Sequence, residues 1–150
     1  MVATILSDDV INSKELRDNQ KFWFDKAEIN PISVRSGNKK LVLLNRQVAR
    51  DMYLLHHYAP IVIQFCRERT FGAGKSVVFP WVEHLNKEET VEFRDELLAI
   101  FESAAREGKW ADFEEMLEDW KATAEVNSNP EVTEALLAKG DPSAYVKSKG

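Results

Sequence analysis

The chain has 150 residues, 44% of them apolar and 30% charged, with a net charge of −5, a profile that suits a soluble, foldable protein of one domain or one small domain with an appendage. No run approaches the roughly 18 apolar residues of a membrane helix, and the start MVATILSDDV lacks the basic region of a signal peptide. A single cysteine, Cys66, rules out an internal disulfide and a thiol metal cluster, so a cytoplasmic protein is expected.

Met1 to Ser7 is a short apolar start, and Val10 with Ile11 reads as a brief strand entering a helix. Ser13 is placed to cap that helix, since its hydroxyl can accept from free backbone N–H groups. Leu16, Trp23 and Ala27, with Phe24 beside them, form its apolar face, while Lys14, Arg17 and Lys21 are spaced to share another. Asn30-Pro31 stops the helix, because proline has no donor and disfavours helical geometry in the residue before it. A hairpin follows. Ile32 and Val34 alternate with Ser33 and Arg35, Ser36-Gly37-Asn38-Lys39 makes a tight turn, and Leu41 to Leu44 returns. Val42 and Leu44 make the returning strand apolar on both faces, so each side is expected to be covered. A two-stranded hairpin is marginal alone; it must extend a sheet or meet a second copy.

Ser13, Leu16, Arg17 and Asn19, then Asn30-Pro31-Ile32-Ser33-Val34, the turn Arg35-Ser36-Gly37-Asn38, and Leu41-Val42-Leu43-Leu44 before an alanine-containing helix together resemble the prevent-host-death (Phd/YefM) antitoxins of bacterial toxin–antitoxin modules. The likeness covers about residues 9–58. It implies an N-terminal α/β unit that dimerises and binds DNA, with a palindromic operator favoured by twofold symmetry, and a C-terminal segment that wraps a partner toxin. This chain departs from the family in length, continuing for some 90 residues with well-patterned helices.

Charge is divided unevenly. Residues 1–50 carry nine Lys/Arg against six Asp/Glu (+3), and residues 51–150 carry 11 against 19 (−8). A phosphate backbone responds to local potential, so a negative total does not exclude a basic face; solvated acidic helix faces explain the same asymmetry. The candidate DNA-binding residues are Asn12, Ser13, Lys14, Arg17, Asn19, Lys21 and Arg35. Cations of this kind meet phosphates, and arginine can also fork onto a guanine edge. Equally, Glu15, Asp18 and Asp25 can partner the helix cations, Ser13 and Asn19 can act as caps, and Arg35, Lys39 and Lys40 can protect a sheet edge.

Asn45 can cap the next helix, whose apolar stripe is Val48, Met52 and Leu55, widened by Tyr53, Leu54 and Tyr58. His56-His57 is adjacent, a spacing that keeps both from facing one metal on a regular helix. Pro60 is expected to break this helix. The apolar run Ile61 to Cys66 then reads as helix or buried strand, with helix favoured by the charges that follow. Gly72-Ala73-Gly74-Lys75-Ser76 imitates the end of a phosphate-binding loop, but Arg69 occupies the place of its first glycine and no helix follows. It reads as a flexible turn.

Asn86 and Glu89 have capping-box spacing. The helix they open carries Phe93, Leu97, Ile100, Phe101 and Ala104 to a stop at Gly108. Trp110, Phe113, Leu117, Trp120 and Ala124 then recur at intervals of three and four, an apolar seam on a second helix. Either the two helices pair with each other, or Phe101, Trp110, Phe113, Leu117 and Trp120 serve a toxin partner, as the resemblance implies. Asn129-Pro130-Glu131 starts a last short helix through Val132, Leu136 and Leu137, before a loose tail over 141–150.

The expected fold is α+β: a Phd/YefM-like helix–hairpin–helix unit over 1–59, a connecting segment over 60–84, and a mainly helical partner-binding or bundle region over 85–140. No metal or cofactor is expected. The three histidines have no evident nucleophile partner, and the acid pairs Glu88-Glu89 and Glu114-Glu115 sit on charged helix faces, so catalysis is not expected. The expected function is an antitoxin that binds operator DNA as a homodimer and neutralises a toxin. A non-DNA-binding adaptor of the same fold is the alternative, and an unrecognised enzyme the weaker third.

Overall fold

The computed structural model describes residues 10–72, 74–129 and 131. The chain is mixed α+β and divides into two compact units, Met1–Leu54 and Leu55–Gly150. The start Met1–Ser7, the short helix expected through Val132, Leu136 and Leu137, and the 141–150 tail lie outside the described residues.

In the first unit the order is β1 (Val10–Asn12), α1 (Ser13–Asp18), α2 (Gln20–Ala27), β2 (Ile32–Ser36) and β3 (Lys39–Leu43). The three strands form one sheet in sequence order, β1 parallel and β3 antiparallel to β2. Asn12, not Ser13, caps α1. Its Oδ1 accepts from the N–H groups of Lys14 and Glu15 at 3.0 and 2.9 Å, and Glu15 Oε2 accepts from the Asn12 N–H at 2.8 Å. This reciprocal box satisfies three backbone donors at once, which a serine one position later does not. The single helix expected from the spacing is interrupted at Asn19 (φ −143°, ψ 50°), where Asp18 and Asn19 are both residues that compete locally with helical hydrogen bonding.

The core of this unit is Ile11, Ala27, Ile32 and Val34, with Leu16, Trp23 and Leu43 packed against it. Phe24 is half exposed at 49% and stands outside it. Gly37 adopts φ +59° in the two-residue loop between Ser36 and Lys39, which form the last pair of the ladder; a side chain there would be strained by that backbone. Leu41 and Val42, on opposite faces of β3, are exposed, so the described residues cover that strand at Leu43 and not on both sides as expected.

Helix α3 runs Arg46–Thr70 and carries the boundary between the units. Asn45 Oδ1 accepts from the Gln47 N–H at 2.7 Å, as its position suggested. Pro60 does not break the helix; it lies inside it. Proline removes one donor and frees the carbonyl four residues back, and both Pro60 and His56 are exposed, so water can take that acceptor. Burial of Val62, Phe65 and Glu68 on the following turns holds the chain helical beyond it.

The second unit continues with a 3-10 helix (Pro80–His84), α4 (Lys87–Glu107) and α5 (Trp110–Ser128). The Asn86–Glu89 box caps α4, and Gly108 ends it in the left-handed region at φ 73°. Residues 60–84, expected to connect, supply Val62, Phe65, Phe79 and Val82 to the core. Phe65, Phe79, Trp81, Phe93 and Trp120 form a run of edge-to-face and tilted rings with centroids 5.0–5.7 Å apart. Burying Phe65, Phe79 and Phe93 contributes about 1.5–3 kcal/mol each, with a further fraction from ring geometry.

Candidate functional site

The residues expected to meet DNA fall in two places of the first unit. Lys14 and Arg17 project from α1, whereas Lys21 belongs to α2, past the interruption at Asn19. All three are exposed. Asn12 is occupied as a cap, and the Asn19 backbone joins the two helices, its N–H donating to Glu15 O and its carbonyl accepting from the Trp23 N–H. Ser13 is exposed at the first turn of α1. Arg35 lies elsewhere, on β2, directly opposite Lys40 of β3.

The electrostatics of these cations are unusual in one respect. Among the described residues, Lys14, Lys21, Arg35, Lys39, Lys40, Arg46 and Arg50 have no carboxylate within ion-pair distance, and Arg17 meets only its neighbour Asp18 at 3.8 Å. Five acidic side chains of the same unit are described (Glu15, Asp18, Asp25, Glu28 and Asp51). One of them, Glu15, is spent on the cap and another, Asp51, accepts from Gln47.

In the second unit the expected partner-binding residues separate by depth. Trp110 and Phe113 are buried, at 2% and 0% exposure. They stack and edge against Tyr58 and Phe101, which makes them core; a partner reaches them only if the unit opens. Phe101, Leu117 and Trp120 are half-buried. Trp120 donates its indole N–H to Glu96 at 2.7 Å and borders a groove of about 580 Å³ between α4 and α5. Ile100, Met116 and Trp120 supply its apolar part, and Glu92, Glu96, Asp112, Glu115 and Asp119 its rim.

A polar knot that neither spacing nor periodicity announced closes the end of α3. Glu68 is buried; its carboxylate accepts from Ser76 Oγ at 2.7 Å, from the Val77 N–H at 3.1 Å and from Gln64 Nε2 at 3.2 Å. Ser76 Oγ accepts in turn from the Phe79 N–H at 3.1 Å. Burial pushes the Glu68 carboxyl up, but these hydrogen bonds and the nearby Arg69 charge outweigh it and leave its pKa below the ordinary glutamate value. Of the turn read over 72–76, Ser76 belongs to this knot, and the Gly74 carbonyl accepts from Arg69 at 3.1 Å. Burial raises the pKa of Cys66, opposed by Arg94, and it raises that of Tyr58, helped by the hydrogen bond Tyr58 donates to Glu114.

No group of three or more His, Cys, Asp or Glu among the described residues is arranged to hold a metal ion. Among those residues, too, no helix is long and apolar enough to cross a membrane. No family model, no curated protein and no solved structure matches the chain.

Proposed function

We propose that the chain is an antitoxin of the Phd/YefM type, which binds operator DNA as a homodimer to repress its own operon and neutralises a partner toxin through α4 and α5. The observation that carries the reading is that Lys14, Lys21 and Arg35 of the first unit are exposed and have no described carboxylate partner. Charges without a described intramolecular partner are available to phosphates, and a local positive surface steers duplex association whatever the total charge. The order helix, hairpin, helix supports the resemblance. So do Leu41, Val48 and Met52, which are 44–56% exposed and give a second copy an apolar surface to cover.

The test is binding of the full chain to the duplex upstream of its own gene. Replacing both Arg17 and Lys21 with alanine abolishes that binding on this reading. Co-purification with the product of the adjacent gene checks the toxin arm. Unchanged DNA affinity in the double variant, with the partner still bound, favours instead a protein-interaction adaptor that uses no DNA. The observation in favour of that second reading is the groove between α4 and α5.

A further inference from the structure

Helices α1 and α2 pack on one face of the sheet, where Ile11, Ile32 and Val34 are buried. Side chains alternate along a strand, so Val10, Ser33, Arg35, Lys40 and Val42 belong to the opposite face. Val10 and Val42 there are 48% and 41% exposed. The register sets Arg35 directly across from Lys40 and Ser33 across from Val42. Arg35 and Lys40 line a concavity of about 260 Å³ together with Val10, Ser33 and Val42.

Like charges directly opposite on neighbouring strands destabilise a sheet. Here two cations stand abreast in a hollow, and no described carboxylate neutralises either one. An oxyanion seated between them removes the repulsion and makes charge-assisted hydrogen bonds to both. We propose that Arg35 and Lys40 act as one clamp for a backbone phosphate of duplex DNA, a contact separate from the cations of α1 and α2. The inference rests on the DNA-binding reading above, in which Arg35 is already a candidate, and adds Lys40 of β3 as its partner. Lys39 is a built-in control: it pairs with Ser36 and so lies on the other face of the same strand, carrying the same charge one residue away.

The experiment measures affinity of the full chain for its upstream duplex and for an unrelated duplex of equal length, at about 50 and 200 mM salt. Lys40→Gln is expected to weaken both duplexes about fivefold at the lower salt and to reduce the slope of log affinity against log salt by about 0.9. Lys40→Arg restores binding, Lys39→Gln changes it less than about twofold, and Arg35→Gln resembles Lys40→Gln. Because the pair repels itself, Lys40→Gln also melts no lower than the parent chain, which separates a lost contact from a damaged fold. If Lys40→Gln and Lys39→Gln bind alike while the Arg17→Ala and Lys21→Ala double variant still fails, the clamp is overturned and the DNA reading survives. If the parent chain binds neither duplex, both fall. If Lys40→Gln alters only the sedimentation of the free protein, the face is a contact between copies and the clamp is again overturned.

Discussion

In the first unit Lys14, Lys21, Arg35, Lys39 and Lys40 stand without a described acidic partner; in the second, Lys75, Arg94, Arg106, Lys109 and Lys121 each meet a carboxylate, of Glu83, Asp95, Glu102, Glu107 and Glu118 respectively. The cores differ as well. The first unit buries four aliphatic side chains under two short helices, and the second buries linked aromatic rings between longer ones. Exposed ion pairs add little to stability, so the pairing in the second unit matters less for holding it together than for cancelling its cations. The contrast is one of degree. Five of the eight described cations of the second unit meet a carboxylate, with Arg67, Arg69 and Lys87 outside those pairs. In the first unit Arg17 is the one cation placed against a described carboxylate, and Lys26 has contacts of its own. The difference teaches that local pairing and net charge run together here, both leaving the cations of the first unit less compensated than those of the second.

The largest expected effect tests whether the second unit rests on its rings. Phe93 is fully buried and meets Phe65, Phe79, Trp81 and Trp120, so Phe93→Ala should cost about 3–5 kcal/mol in a denaturant titration followed by tryptophan fluorescence. DNA affinity per folded molecule should remain near that of the parent chain. Loss of both together would break the distinction between the units.

Next comes the polar knot. Glu68→Gln turns an acceptor-only group into one that presents a donor to donors, and should cost about 2 kcal/mol. The folded-state pKa of Glu68 lies below its unfolded value. Its contribution is therefore fully present above the ordinary glutamate range and is lost as pH falls through the lowered folded value. Thermal melts through acid pH should show the parent chain falling more steeply than Glu68→Gln.

A smaller loss is expected in the first unit. Asn12→Ala removes the α1 cap and should cost about 1 kcal/mol, read as a lower melting temperature for a chain whose ring contacts are unchanged. The smallest is at Trp110, whose indole N–H is buried without a partner. Trp110→Phe removes that unsatisfied donor while losing some volume, and the two effects offset to within about 1 kcal/mol.

Much of this architecture is legible in the residues alone. The Asn86–Glu89 box, Gly108 and the Trp110–Phe113–Leu117–Trp120 spacing locate α4 and α5 because caps and apolar period are local signals. The hairpin turn is equally local. A two-residue loop at Gly37-Asn38 pairs Ser36 with Lys39 and therefore Arg35 with Lys40, so the cationic pair could have been found by counting outward from the turn. What escaped depends on tertiary packing. Pro60 continues α3 because Val62 and Phe65 are buried just beyond it, and Glu68 is interior because Ser76 and Val77 fold back to it from eight and nine residues away. Nothing in periodicity distinguishes that glutamate from its solvated neighbours. The choice of Asn12 over Ser13 as cap turns on one residue of register, where both side chains have suitable chemistry.

Helix α3 carries a gradient along its length. No residue before Val62 is buried, while Val48, Met52 and Leu55 are 44%, 55% and 38% exposed. A helical stretch of about a dozen residues is marginal in water without packing, so in an isolated chain the first three turns should exchange their amide protons well before the last three. Anything that seats on Val48 and Met52 slows that exchange, and if the seat is another copy, protection must rise with protein concentration. In that case dilution alone should loosen the first half of the helix and leave the second half as it was.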